Sequence, residues 1–395
     1  MLRNRVVIAL LAAGLAFAFQ ALTVRYNYGG DWTGLFCVGD RSPQPSEIAR
    51  PYQFRNSWGY DGQAYRLIAH DPFVRRGFDR YLDDPRYRYS RILVPMLAWA
   101  LALGNDKWVD SAYILLVLGF VFAGAYWLAM LAERFGFPPW CGVLFLFAPA
   151  TLVGMDRLTI DVALAALCVA FVALRPGSVG WLVALACAAL CRETGLLLIG
   201  AACVPQVGRT PWSAGRPPGR PFYRITENAL VERRFRSFLI TASTAAPAVA
   251  WLVWVASRLP ASPTARTGFI PLSGYVTRLA HPFEYPFGPL ITGITQVLDY
   301  GALAGVAVAL WCLWKLRWRP ELLACAIPVL FVNLPDVWSE VYAFGRTMTP
   351  FWLLIAIRGV ESRLWIALAP IALMDLRIGW QLGSQVLGIV RGLVT

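Results

Sequence analysis

Apolar runs dominate this chain and limit what it can become. From Val6 onward, long stretches of Leu, Val, Ala and aromatic residues alternate with short loops that carry arginine. A run of about 20 such residues crosses the ~30 Å hydrocarbon core of a bilayer. Hydrophobic residues make up 58% of the 395 positions and charged residues only 15%, a balance that soluble domains do not carry. The expected fold class is therefore an all-α polytopic membrane protein, built as a single integral membrane domain over residues 1–395.

The formal net charge of +13 raises nucleic acid as a partner. The arginines punctuate apolar segments instead of forming one stripe, which is the pattern of membrane topology signals, so no nucleic-acid partner is expected. None of the eight cysteines stands in a Cys-x-x-Cys pair, and there are only two histidines, His70 and His281. Neither a disulfide framework, a zinc site nor a histidine-built metal centre is suggested.

Threading the chain through a membrane gives each loop a side. The basic start, Met1 to Arg5, precedes an apolar run from Val6 to Leu22. It reads as a retained first helix with its amino end in the cytoplasm. Residues 23–110 form an extracytoplasmic loop with short juxtamembrane helices, too long to be a bare connection. Asp84-Pro85 has the form of a helix start, with Asp84 as N-cap and Pro85 first in the helix. The apolar stretch from Arg91 to Gly104 is short for a span. If it does not cross, every short Arg-rich loop falls on the cytoplasmic side, including a basic loop at 205–237; if it crosses, all of them flip outward, against the positive-inside rule. The threading counts about ten to twelve helices at roughly 20 residues per span.

The same threading collects Asp61, Asp156, Arg157, Asp161, Arg192, Glu193, His281, Asp336 and Arg346 at the outer face. Ionisable groups near spanning depth are costly and mark pathways or sites. Asp61 lies in the turn Trp58–Gln63, ahead of a short helix expected from Ala64 to His70. One reading makes it the N-cap of that helix. The other makes it a general base, kept ionised by the helix dipole and able to take a proton from an attacking hydroxyl. Trp58, Tyr60, Gln63 and Tyr65 around it supply sugar-stacking faces and polar groups.

Arg88 and Arg91 fall on one face at i, i+3 if the helix from Pro85 continues, and arginine suits bidentate phosphate binding. Snorkelling to lipid headgroups is the competing use. Arg346 is a further candidate phosphate contact. Arg192-Glu193 reads either as a site pair or as a bundle-stabilising ion pair. Asp156-Arg157 and Asp161 read as a second carboxylate site or as loop caps. His281, among prolines, either joins the site or shapes its loop.

These residues carry a resemblance. YDGQAY followed by LDDPRYRYSRILVPMLAWALALG, with CRETG at 191–195, resembles bacterial membrane proteins of cell-surface glycopolymer formation and, more broadly, the GT-C superfamily of polytopic glycosyltransferases. The resemblance implies a GT-C-like bundle in the bacterial inner membrane with an extracytoplasmic active site. The implied activity moves a sugar from a polyprenyl-phosphate donor to a glycan or lipid acceptor. Asp61 becomes the base candidate and Asp156 or Asp161 the second-loop acid. The chain departs from that pattern by lacking an Asp-x-Asp or Glu-x-Asp pair in the first loop. The resemblance allows a divalent metal, but this departure speaks against metal dependence and the residues do not indicate one. A transporter or flippase of lipid-linked glycans, or a polymerase of them, is the rival reading. The transporter would place polar groups along a path through the bilayer.

Overall fold

The computed structural model describes residues 2–204, 227–261, 268–281, 283–333 and 335–394. Of the basic loop at 205–237, residues 205–226 lie outside the described residues, as does the side chain of Asp336. The fold is helical almost throughout. Its only described strands are Val38–Gly39 and Gln53–Phe54, paired in parallel with Val38 opposite Gln53.

In chain order the helices are α1 (Leu2–Asn27), α2 (Asp61–His70), α3 (Pro85–Tyr89), α4 (Leu93–Leu101), α5 (Asp106–Arg134), α6 (Pro149–Arg157), α7 (Asp161–Ala173), α8 (Val179–Cys191) and α9 (Glu193–Cys203). After them come α10 (Glu227–Ser243), α11 (Ala246–Arg258), α12 (Ser273–Ala280), α13 (Pro289–Lys315), α14 (Pro320–Phe331), α15 (Pro335–Trp338), α16 (Val341–Thr347), α17 (Thr349–Glu361) and α18 (Ala369–Val394).

Four helical stretches are long and apolar enough to cross a membrane: Leu2–Asn27, Asp106–Arg134, Phe235–Arg258 and Pro289–Lys315. A fifth candidate is bent by 61° between Pro139–Phe147 and α6. This is well below the ten to twelve expected. The reason is local: several of the apolar runs break into short helices at a charged residue or a proline, as at Asp161, Arg192 and Pro320. The α7 and α8 helices have 13 residues each and α9 has 11, about 16–20 Å at ~1.5 Å per residue. The α4 helix, at nine residues, is shorter still, and too short by itself to cross a bilayer.

Helices pack closely where small residues meet, as in membrane bundles, where apolar burial gives little drive and backbone approach gives more. The buried stripe of α1 is Ala9, Ala12 and Ala16, then Gln20, Thr23 and Val24. Every residue of α7 is buried. The α8–α9 hairpin turns at Arg192, and Gly195 backs onto α8: a Cβ there would meet the Ala188 carbonyl at 2.1 Å and the Ala189 nitrogen at 2.3 Å. These are backbone atoms with little freedom to give way. Gly195→Ala is expected to cost about 1–3 kcal/mol by overpacking, read as a lower unfolding midpoint of the detergent-solubilised chain. An unchanged midpoint would mean that the hairpin is not closed at this point.

The bundle has two charged ends. At one, Arg5 of α1 pairs with Glu133 of α5, and Arg134 donates to the Val172 and Ala173 carbonyls at the end of α7. There too, Arg358 reaches Glu321 at 2.9 Å and Glu361 at 3.0 Å. The far end of α7 begins with Asp161.

Candidate functional site

Helix ends build the second charged cluster. Asp61, Asp161 and Glu193 are the first residues of α2, α7 and α9. Arg88 and Arg346 stand in the last turns of α3 and α16, and Arg192 closes α8. Acids at amino ends and arginines at carboxyl ends each suit the local helix dipole. The short helices thus place charges of both signs where their backbones favour them.

The charges alternate along a chain. Arg88 Nη1 lies 2.8 Å from Asp61 Oδ1, and its other amino group is 2.8 Å from Asp83. Arg346 holds the second Asp61 oxygen and reaches across to Asp161 Oδ2 at 2.7 Å. Asp161 in turn is held by Arg192, which lies 3.9 Å from Glu193. Glu193 meets Arg91 at 3.3 Å, and Arg91 also donates to the Tyr87 and Tyr65 hydroxyls. Arg346 is the hinge of this series. It is 6% exposed, donates to the Tyr60 hydroxyl at 3.1 Å and lies over the Tyr60 ring, 4.8 Å from its centre.

The Asp61 side chain keeps 20% of its surface exposed, whereas Asp161 keeps 2%. Asp61 therefore faces the mouth of the cluster, beside Arg88, the 48%-exposed Glu193 side chain and the 60%-exposed Asp83 side chain. Asp61 is the first residue of α2, not its N-cap. The α2 helix starts three residues earlier than expected, and the N-cap position belongs to Tyr60, whose side chain makes no cap. Asp84 does cap α3, accepting from the Tyr87 N–H. The α3 helix stops at Tyr89, so Arg88 and Arg91 do not share a helical face; they reach different acids.

Burial alone would push the Asp61 carboxyl up, but Arg346 and then Arg88 outweigh it and hold it far below the usual carboxylate range. The sign of the linked stability follows. A carboxyl whose pKa falls on folding contributes fully above its unfolded value, near ~3.9, and loses that contribution as the pH drops below it. The stability advantage of wild type over Asp61→Asn is expected to be full near neutral pH and to shrink below about pH 4. Unfolding midpoints of both proteins across that range check it, and a constant gap contradicts the ion pairing.

The other candidates take different places. Gln63 donates to the Trp58 carbonyl at 2.7 Å and accepts from the Gly39 N–H at 3.3 Å, so it holds the Trp58–Tyr60 turn in shape. Tyr65 is fully buried beneath Arg91. Asp156 and Arg157 pair with each other at 2.8 Å instead of joining the chain of charges. They sit alongside it: Tyr342 donates to Asp156 at 3.4 Å, and its ring stands edge-on to Tyr60 at 6.4 Å. Gly62 brings the Arg157 backbone against α2, since a Cβ there would meet the Arg157 carbonyl oxygen at 2.3 Å. His281 is not in the cluster. It lies at the end of α12 in a separate cavity with Arg278 and Trp338.

Two contributors escaped sequence reading. Asp83 shares Arg88 with Asp61, and Ser90 donates to the Tyr87 carbonyl at 2.7 Å with its hydroxyl 3.3 Å from Glu193. Both flank candidate residues, Asp84 and Arg91, and proximity in sequence is their only signal. Among the described residues no group of three or more His, Cys, Asp or Glu side chains could hold a metal ion.

No family model, curated protein or solved structure matches this chain. The class rests on the chain itself: an almost wholly helical protein with several helices long and apolar enough to cross a membrane and a chain of alternating charges at one end of the bundle.

Proposed function

We propose that this protein is a multi-pass glycosyltransferase of the bacterial inner membrane, with a cytoplasmic amino terminus and an extracytoplasmic site. It takes a sugar from a polyprenyl-phosphate donor and passes it to a glycan or lipid acceptor. The observation that carries the reading is the double clamp on Asp61: one partly exposed carboxylate held by Arg88 and Arg346 at the mouth of an otherwise buried ionic cluster.

A carboxylate so clamped is a weak base, and the donor removes that obstacle. The donor phosphate competes with Asp61 for the N–H groups of Arg88 and Arg346, since arginine binds phosphate bidentately. Asp61, released from one guanidinium, regains proton affinity at the moment the donor is in place. The acceptor hydroxyl oxygen then attacks the anomeric carbon as Asp61 takes its proton. The bond from that carbon to the phosphate oxygen breaks on the opposite side, inverting configuration. The polyprenyl phosphate leaves with its new charge facing the arginines, which is where electrostatic stabilisation acts. Asp161 and Arg192 keep Arg346 aimed at the mouth.

The test is sugar transfer from polyprenyl-phosphate donors by purified protein. Asp61→Asn is expected to lose about 10²-fold or more in rate while donor binding persists. Full activity in a folded Asp61→Asn protein removes Asp61 as the base. A transporter of lipid-linked glycans is the second reading, favoured by one specific observation: Asp161 and Arg192 stand where apolar helices break, as polar groups do in alternating-access carriers. Movement of a lipid-linked glycan across vesicles with no new glycosidic bond selects it.

A further inference from the structure

The cavity that holds His281 lies outside the ionic cluster and has a chemistry of its own. It measures about 180 Å³ and is lined by Ser273, Gly274, Thr277, Arg278, His281, Asn333 and Trp338. A closed void of ~150 Å³ accepts a benzene ring; this one is a cleft open at the exposed Thr277, His281 and Asn333, so a headgroup-sized unit can enter it from the surface. Gly274 is needed at its wall: a Cβ there would meet the Trp338 indole nitrogen at 2.4 Å. Trp338 is itself fixed, donating from that nitrogen to the Val332 carbonyl at 2.8 Å and stacking on Phe344 at 5.3 Å. Phe344 lies in α16, two residues before Arg346, so the cavity backs onto the helix that carries the hinge of the cluster.

Arg278 sets the charge of the cavity. Its Nε donates to the Trp338 carbonyl at 2.9 Å and its Nη1 to the His281 carbonyl at 3.2 Å, while the guanidinium lies 4.1 Å from the centre of the Phe283 ring. Both hydrogen-bond partners are neutral carbonyls. The acid it acts on is Asp299, whose carboxylate is bound by Arg377 and Tyr285, and among the described residues no carboxylate ion-pairs with Arg278. Two of five guanidinium N–H donors are used, and three remain. The Ser273 hydroxyl oxygen is buried at the cavity and has no partner among the described residues. A buried hydroxyl without a partner costs free energy that a ligand's hydroxyl restores.

We propose that this cavity is a second ligand site, separate from the Asp61 cluster and independent of the transfer reading. Its ligand is a phosphate carried on a small polyol, with the phosphate on Arg278 and the hydroxyls on Ser273, Thr277 and Asn333. That chemistry comes either from a phospholipid headgroup of the glycerol type or from a soluble phosphorylated polyol.

Calorimetry on the full chain in detergent, with glycerol 3-phosphate and glycerol as probes, tests the site. Glycerol 3-phosphate is expected to bind at least tenfold more tightly than glycerol, and Arg278→Gln to abolish that preference. Arg278→Lys, which keeps the charge and guards against a folding defect, retains it in part, and Ser273→Ala weakens binding of both probes. Native mass spectrometry after reconstitution then distinguishes the sources. Retention of phosphatidylglycerol over phosphatidylcholine by wild type but not by Arg278→Gln assigns the lipid headgroup; equal retention alongside glycerol 3-phosphate binding assigns the soluble ligand. Binding of neither glycerol 3-phosphate nor phosphatidylglycerol, or identical binding in all variants, overturns the proposal.

Discussion

Arg346→Gln is expected to lower stability by about 3 kcal/mol, because it removes one partner from a buried ion set and leaves the acids it joined only partly compensated. Two acids each lose one of two arginine partners at once. Asp61 keeps Arg88 and Asp161 keeps Arg192, but the link between the mouth and the buried half of the cluster is gone. Under the proposed mechanism the same change lowers the transfer rate by about 10³-fold, near the upper range for loss of one preorganised donor. Arg346→Lys separates the two effects. Lysine restores the charge, but its single ammonium cannot reproduce the planar fork that spans Asp61, Asp161 and the Tyr60 hydroxyl. It is expected to recover much of the stability and little of the rate. Wild-type unfolding for Arg346→Gln would show that the cluster is hydrated and loosely paired in solution.

The second large effect lies at the other end of α2. Arg66 is fully buried and grips Asp110 of α5 with two parallel bonds of 2.9 and 2.8 Å, while donating to the Ala49 carbonyl at 3.0 Å. His70, one turn on, lies between Asp106 at 2.7 Å and Asp110 at 3.2 Å. Arg66→Met fills the volume and leaves Asp110 without its main partner, so a loss of about 3–5 kcal/mol is expected. The readout is the unfolding midpoint of the solubilised protein. Because α2 carries Asp61 at its first residue, the variant is also expected to loosen the mouth of the cluster, seen as faster proteolysis within the 23–110 loop. A variant with the stability of wild type would place α2 on other anchors.

This second network was written in the sequence and went unread. Arg66 and His70 stand four apart on one helix, and Asp106 and Asp110 stand four apart on another. Two complementary i, i+4 pairs name each other once both helices are drawn. The side-by-side placement of Asp61, Asp161, Arg192 and Arg346 was legible for a different reason. Counting apolar runs and assigning arginine loops to one side sends those residues to one end of the bundle, whatever the helix lengths. The Asp84-Pro85 start was legible because it is local: a cap side chain and a proline settle it within four residues. What could not be read was which apolar runs form whole helices. The α8–α9 hairpin depends on Gly195 meeting the Ala188 backbone, and His281 leaves the cluster because α12 packs against Trp338. Both are tertiary contacts with no signature in spacing. The first turn of α2 was missed because Asp-Gly reads equally well as a cap or as the opening of the helix proper.

One consequence follows from the length of α7. Thirteen residues make a rod of about 20 Å, some 10 Å less than a bilayer's hydrocarbon core. Under the proposed reading, with α7 standing across the bilayer and Arg134 fastened to its last carbonyls at one end, Asp161 at the other tip would stand beneath the opposite surface, and Arg346 and Arg192 with it. A phosphate anchored by a long hydrocarbon tail could then meet its guanidinium partners without rising out of the leaflet. The acceptor, not the donor, would be the molecule that has to descend.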